Sequence, residues 1–414
     1  MYPITKSSIH RILIPLGAGL ILSLLGDQTL YTVLPNPSIA SVAGVTLGMV
    51  GVLLGINRLT RLVFNGVAGT LYDRMPRRPL MITGMSIGAL STACYAIAHG
   101  PAVMIIGRVL WGIAWSAIWV GSNTIALDIS NDQNRGEITG RLQMWFLTGV
   151  GVASFTGGIF TDLFGYRNGL WVSAALTAIA ALLWGLLLPE TRAEKKAERD
   201  LATAAQTPPS PLPWKEALGL SVPYLALRIV FAGILASSTV LWLSQFTGPQ
   251  LNFRSLVIPL ATLTGGFVAV RVLISMMSAP LIGRLSDRIR RRWATMSGVL
   301  LFGTLGMVLM SLPVVLPAVL GGLMASASTA GIQALVSSIV GDRVAPDLRS
   351  RVLGVIFTIG DLGSALGPSV GLGLIPVVGL NAVYMGCAGV FAMATVFSVW
   401  YALRETAVFP AVNR

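Results

Sequence analysis

Charged residues are scarce in this chain. They make up 11% of its 414 positions, against about 25% in an ordinary soluble domain, so the sequence excludes a water-soluble globule. Cysteine occurs twice, as Cys94 and Cys387; both lie in apolar stretches without metal-type or redox-type spacing and read as packing residues. Histidine also occurs twice. His10 precedes the first apolar stretch and His99 ends the third, so no zinc site or His-based catalytic set can be assembled from them. A nucleotide-binding loop and cofactor motifs are missing too, which excludes pumping by ATP within the chain. The sequence therefore reads as no enzyme, with no catalytic residues, metal or cofactor.

Apolar residues take the place of charge. They account for 54% of the chain and give a mean hydropathy of +0.77. Runs of about 20 apolar residues, long enough to cross a hydrocarbon core about 30 Å thick, recur along nearly the whole length. Twelve are expected, centred near Ile21, Leu53, Ala89, Trp115, Val150, Ala180, Leu235, Gly266, Thr304, Ala327, Gly363 and Phe391. Met1 to Arg11 leads into a full-length first span and reads as uncleaved.

The charge that remains is basic, with a formal net charge of +13. That sum fits nucleic acid, but its distribution fits a membrane. Connections on one side carry Arg74, Arg77, Arg78, Arg135, Lys195, Lys196, Arg288, Arg290, Arg291, Arg292, Arg349 and Arg351. The opposite connections carry only Arg167 and Arg254. Such asymmetry is the positive-inside signal and places the basic loops and both termini in the cytoplasm. Membrane lipids, not nucleic acid, are the expected partners of this charge.

One pattern occurs twice. Gly69 to Arg78 reads GTLYDRMPRR, and 214 residues later Gly283 to Arg292 reads GRLSDRIRRR. The same offset maps Gly107 onto Gly321, Asp128 onto Asp342, Arg135 onto Arg349, Gly140 onto Gly354, Gly149 onto Gly363 and Gly157 onto Gly371. The chain is thus two copies of one unit. Residues 1–192 form a first six-helix bundle, and residues 216–414 form a second. Between them, 193–215 is a charged linker whose prolines from Pro208 to Pro213 cannot continue a helix.

These residues resemble the major facilitator superfamily of secondary transporters. The paired GxxxDRxxRR blocks are similar to its signature loop between helices 2 and 3 and between helices 8 and 9. Gly107-Arg108 with Gly112 resembles the helix-4 element of its drug and metabolite exporters, and Pro189-Glu190-Thr191-Arg192 resembles its common end of helix 6. The resemblance implies an all-α integral membrane fold of twelve helices in two pseudo-symmetric bundles, working as a monomer on a small-molecule substrate. Two departures stand out. Pro76 and Arg290 occupy positions where the family has Gly. The GxxxGPxxGG element of proton-exchanging exporters is interrupted in helix 5 by Ala153 and Ser154, whereas helix 11 carries Gly363, Gly367, Pro368 and Gly371.

Gly69, Asp73, Arg74, Arg77 and Arg78, with Gly283, Asp287, Arg288, Arg291 and Arg292, form the expected gating loops. Their arginines can pair with Asp73 or with carboxylates and helix ends in the other half; a topogenic basic loop is the plainer alternative. Gly367 and Pro368 supply a kink.

Charges inside the spans carry the substrate and coupling expectations. Arg58 and Arg61 lie about 17 and 12 Å before Gly69, and Arg271 about 18 Å before Gly283, at 1.5 Å per residue. The repeat pairs Arg271 with Asn57. A guanidinium at the bilayer centre costs about 2.5 to 3.5 kcal/mol, so these cations are expected around a central site that favours an anion. Asp27, about 22 Å into its span, and Arg108, about 10 Å into its own from the other side, reach similar height and can pair. That pair resembles the acid and arginine of proton-coupled exporters. Asp27, Arg108 and Asp361 are the proton-coupling candidates, with helix tying as the competing role for Arg108 and a helix contact for Asp361. Trp111, Trp115 and Trp119 share one stripe, suited to an aromatic substrate or to packing alone.

The resulting expectation is an alternating-access transporter in the inner membrane that exports a small anionic or amphipathic compound in exchange for protons. Its rivals are proton-coupled uptake of an organic anion, a lipid-type flippase and, outside transport, a polytopic membrane enzyme or a channel.

Overall fold

The computed structural model describes residues 6–130, 134–191, 213–253, 255–345 and 348–408. Most of the linker, with Lys195 and Lys196, lies outside the described residues, as do Arg254 and both chain ends. In hydrocarbon every backbone N–H and C=O must be satisfied within the protein, which an apolar stretch of span length achieves by itself as a helix. Twelve helices among the described residues are long and apolar enough to cross a membrane. Spans 1 to 6 are Ile9–Val33, Leu47–Arg74, Arg77–Ile97, Pro101–Asp128, Gly136–Phe164 and Tyr166–Leu187. Spans 7 to 12 are Trp214–Thr247, Leu260–Ile289, Arg292–Met310, Val315–Arg343, Arg351–Val378 and Leu380–Arg404. Each expected centre falls inside one of them.

Backbone detail carries the repeat further than the sequence motifs do. Gly165 joins spans 5 and 6 at φ 80, and Gly379, 214 positions on, joins spans 11 and 12 at φ 82. Both take the left-handed region that only glycine enters cheaply. Small residues let neighbouring spans close on each other, as in other membrane helix pairs. In the second copy Gly321 lies so near span 9 that a Cβ would sit 2.4 Å from the Gly306 carbonyl oxygen. Its repeat equivalent, Gly107, faces the Tyr95 ring at 2.5 Å by the same construction.

The chain forms two compact units whose limits differ from the sequence halves. The first contains residues up to Pro209 together with Thr239–Ala269; the second contains Ser210–Ser238 and Val270–Arg414. The exchanged piece is the C-terminal part of span 7, a short hairpin and the start of span 8. Strand β1 (Gln250–Phe253) pairs antiparallel with β2 (Leu256–Pro259), an element the hydropathy pattern does not announce. Its attachment to the first unit has a physical cause. Cβ atoms at Gly158 and Gly265 would lie 2.3 Å from the Ala261 carbonyl oxygen and 2.2 Å from that of Ser154, so spans 5 and 8 touch backbone to backbone. The Asp162 carboxylate then accepts from the Thr262 N–H at 2.7 Å and from its hydroxyl at 2.6 Å, capping the free donors at the start of span 8.

Candidate functional site

A buried ion pair joins two spans of the first unit. Arg108 of span 4, 0% exposed, donates from Nη1 to Asp27 Oδ1 of span 1 at 2.6 Å. Its Nε donates to the Leu53 carbonyl at 2.9 Å, and Tyr31 and Tyr95 lie within 5.8 Å of the guanidinium. Asp27, 4% exposed, also accepts from Asn57 Nδ2 at 3.5 Å. One acid thus links spans 1, 2 and 4. The carboxylate supplies the charge compensation that a buried guanidinium requires, and the Leu53 carbonyl satisfies a donor that would otherwise cost a hydrogen bond.

The other expected residues occupy distinct surroundings. Arg61 is buried and Arg58 half-buried on span 2. Trp111, Trp115 and Trp119 form a continuous ladder along span 4, with centroids 5.8 Å apart at each step, and Phe146 of span 5 packs on the lower two rings. In the second unit Arg271 of span 8 is 5% exposed. It donates from Nε to Ser326 Oγ at 3.1 Å and lies 4.5 Å beneath the Phe231 ring. Asp361 of span 11 accepts from Arg228 Nη2 of span 7 at 2.7 Å. The sequence leaves Tyr224 and Arg228, near the start of span 7, open to an inner vestibule, with cytoplasmic phosphates as the alternative for Arg228; the structure pairs Arg228 with Asp361.

Arg77 and Arg78 find partners in their own half. Arg77 Nε donates to Asp128 at 3.2 Å, and Arg78 Nη2 donates to the Gly185 carbonyl. The reason is local: span 3 begins at Arg77, beside the end of span 4. Glu190 caps that start, accepting from the N–H groups of Arg77 at 2.9 Å and Arg78 at 3.0 Å. In the second copy Arg292, not Arg291, meets the equivalent acids, Asp287 at 2.5 Å and Asp342 at 2.8 Å. The one-residue change follows the turn. Pro76 is extended at φ −57, whereas Arg290 sits at φ 57, where the family's glycine would rest without strain. Arg74, Arg288 and Arg291 are exposed. Cβ atoms at Gly69 and Gly283 would meet nothing within 4 Å, so packing in this conformation does not demand either glycine. Gly367 is different: a Cβ there would lie 2.6 Å from Gly233 Cα, ahead of Pro368.

Twelve apolar spans with charge pairs buried among them fit an integral membrane protein. The family model described as the Major Facilitator Superfamily matches residues 16–338 and 261–412, and the chain belongs to that family. Its relatives include the inner membrane transport protein YajR of Escherichia coli, 29% identical over 171 residues, 41% of this chain and 37% of that one. The multidrug resistance protein MdtG of Escherichia coli is 23% identical across 86% of this chain and 84% of its own length. Among solved structures, a bacterial homologue of the human lysosomal transporter Spinster, inward-facing and occupied, superposes with a TM-score of 0.77 at 17% identity, covering 95% and 96% of the two chains. The human organic anion transporter MFSD10 gives 0.65 at 20% identity over 94% and 99%.

Proposed function

We propose that this transporter exchanges protons for a small organic anion or amphipathic compound and moves that compound out of the cell. The carrying observation is the Asp27–Arg108 pair, an acid 4% exposed and bonded at 2.6 Å to a fully buried cation. A movement that separates the two leaves unpaired charge inside the membrane, which is costly, and a proton taken up at the acid removes that charge. Arg61 and Arg271, both buried cations, favour an anionic cargo, and the aromatic ladder of span 4 suits a flat apolar body. Export is the direction that the name of MdtG supports. In this reading the protein works as a monomer in the inner membrane with both termini cytoplasmic.

Ligand that binds the folded state raises its apparent stability. A panel of organic anions, lipophilic cations and neutral amphiphiles is therefore expected to divide by charge in thermal unfolding of the purified protein. Stabilisation by anions that disappears in Arg271→Gln is the expected result. Stabilisation by lipophilic cations that is indifferent to Arg271→Gln overturns the anion reading.

The signature loop is assigned to gating, through pairs made inside each half. Asp73→Asn is expected to slow substrate flux in proteoliposomes by about 5-fold or more while the amount of folded protein stays constant. Unchanged flux removes the gating role.

A further inference from the structure

Span 7 is not one regular helix. Between Trp214–Leu227 and Ala236–Thr247 the backbone runs as a π-helix over Arg228–Leu235. Wide turns of this kind are rare, cluster at functional sites and leave a helix with a register it can change. Three contacts inside the second unit hold this one. At its start, Arg228 Nη2 bonds Asp361 Oδ1 at 2.7 Å. Near its end, Gly233 meets Gly367 without intervening side chains. Between them Phe231 lays its ring 4.5 Å from the guanidinium carbon of Arg271.

Arg271 is a buried cation beside hydroxyl groups. Ser326 Oγ accepts from its Nε at 3.1 Å, and Ser275 bonds the Ser326 carbonyl at 2.9 Å. Ser238 and Tyr384 share a buried hydrogen bond at 2.9 Å on neighbouring spans. An aromatic face over a cation is attractive but weak. A carboxylate makes a shorter, charge-assisted and two-pronged contact with the same guanidinium.

We infer that Phe231 is the lid of an anion subsite at Arg271, and that the π segment, latched by Arg228 and Asp361, sets whether the lid is shut. The ligand is an organic acid whose carboxylate takes the guanidinium and whose flat apolar body takes the place of the phenyl ring. Closing the wide turn of span 7 into α register would rotate Phe231 away from span 8, with Gly233 and Gly367 as the pivot. The inference rests on the reading of the cargo as an anion.

The test uses the full-length purified protein and 2-naphthoate, with 2-naphthamide as the neutral control, read by ligand-dependent thermal unfolding. Phe231→Leu and Phe231→Ala remove the competing ring and are expected to tighten naphthoate binding about 3- to 30-fold. Asp361→Asn, which loosens the latch, shifts affinity in the same direction. Arg271→Gln abolishes binding in the wild-type and Phe231→Leu backgrounds alike. Melting without ligand checks that each variant is folded, and the leucine variant nearly conserves core volume. If binding requires Arg271 but the Phe231 and Asp361 variants leave the affinity within about 2-fold, the lid is overturned while the anion reading stands. If naphthoate binds no better than naphthamide, or ignores Arg271 in both backgrounds, the anion reading fails and the lid with it.

Discussion

Arg108→Leu is expected to destabilise the protein by about 3–5 kcal/mol, the effect of leaving one partner of a buried ion pair alone. Leucine fills much of the volume but leaves the Asp27 carboxylate, 4% exposed, with the Asn57 amide 3.5 Å away as a long polar contact. The Leu53 carbonyl loses its donor as well. The double variant Arg108→Leu with Asp27→Leu removes both charges, and replacement of a whole buried pair by apolar groups is commonly neutral. It should therefore recover most of the loss in thermal unfolding. Asp27→Asn keeps a hydrogen-bond acceptor near Arg108 while removing the titratable group. In proteoliposomes it is expected to keep substrate exchange and lose acceleration by a pH gradient. A double variant as unstable as the single one would mean that Arg108 acts through its span 2 carbonyl contact, not through Asp27. Gradient-driven transport intact in Asp27→Asn would remove Asp27 as the proton carrier.

How legible each feature is in sequence depends on the kind of geometry it needs. The spans follow from hydropathy and length. The Asp27–Arg108 contact follows from counting helical rise from opposite ends, because height along a regular helix is a one-dimensional quantity. Arg228 and Asp361 resist that arithmetic. Their meeting depends on the rotational phases of spans 7 and 11, which a count of helical rise does not carry. The signature loops show a second limit. The offset of 214 relates Arg78 to Arg292, yet Arg77 takes Asp128 while Arg292 takes Asp342, because one residue at positive φ re-aims the second turn. Repetition predicts that equivalent acids are engaged; which arginine engages them is settled by backbone detail. Grouping of the β1–β2 hairpin with the first unit is hidden for a related reason. It rests on glycines whose significance is an interhelical approach, and the span 5 stretch around Ala153 and Ser154 reads only as an interrupted motif.

Gly265→Leu is expected to reduce transport about 5- to 150-fold. A Cβ at this position would lie 2.2 Å from the Ser154 carbonyl oxygen and 2.8 Å from Phe155 Cα, and both are backbone atoms that cannot rotate away. Overpacking of this sort costs about 1–3 kcal/mol, which converts to that range in the population holding the contact. The start of span 8 must then withdraw from span 5. The bonds from Thr262 to Asp162 at 2.7 and 2.6 Å cannot survive the withdrawal, so the conformation in which spans 5 and 8 meet becomes a minor state. Ser154, 1% exposed, supplies a direct reporter. A cysteine placed there in a protein otherwise free of thiols should react slowly with a water-soluble maleimide, and at least several-fold faster once Gly265→Leu is added. Asp162→Asn, which weakens the cap without steric conflict, should fall between the two, because the backbone N–H of Thr262 keeps an acceptor. Equal alkylation rates and undiminished flux in Gly265→Leu would show that spans 5 and 8 need not meet backbone to backbone in the working cycle.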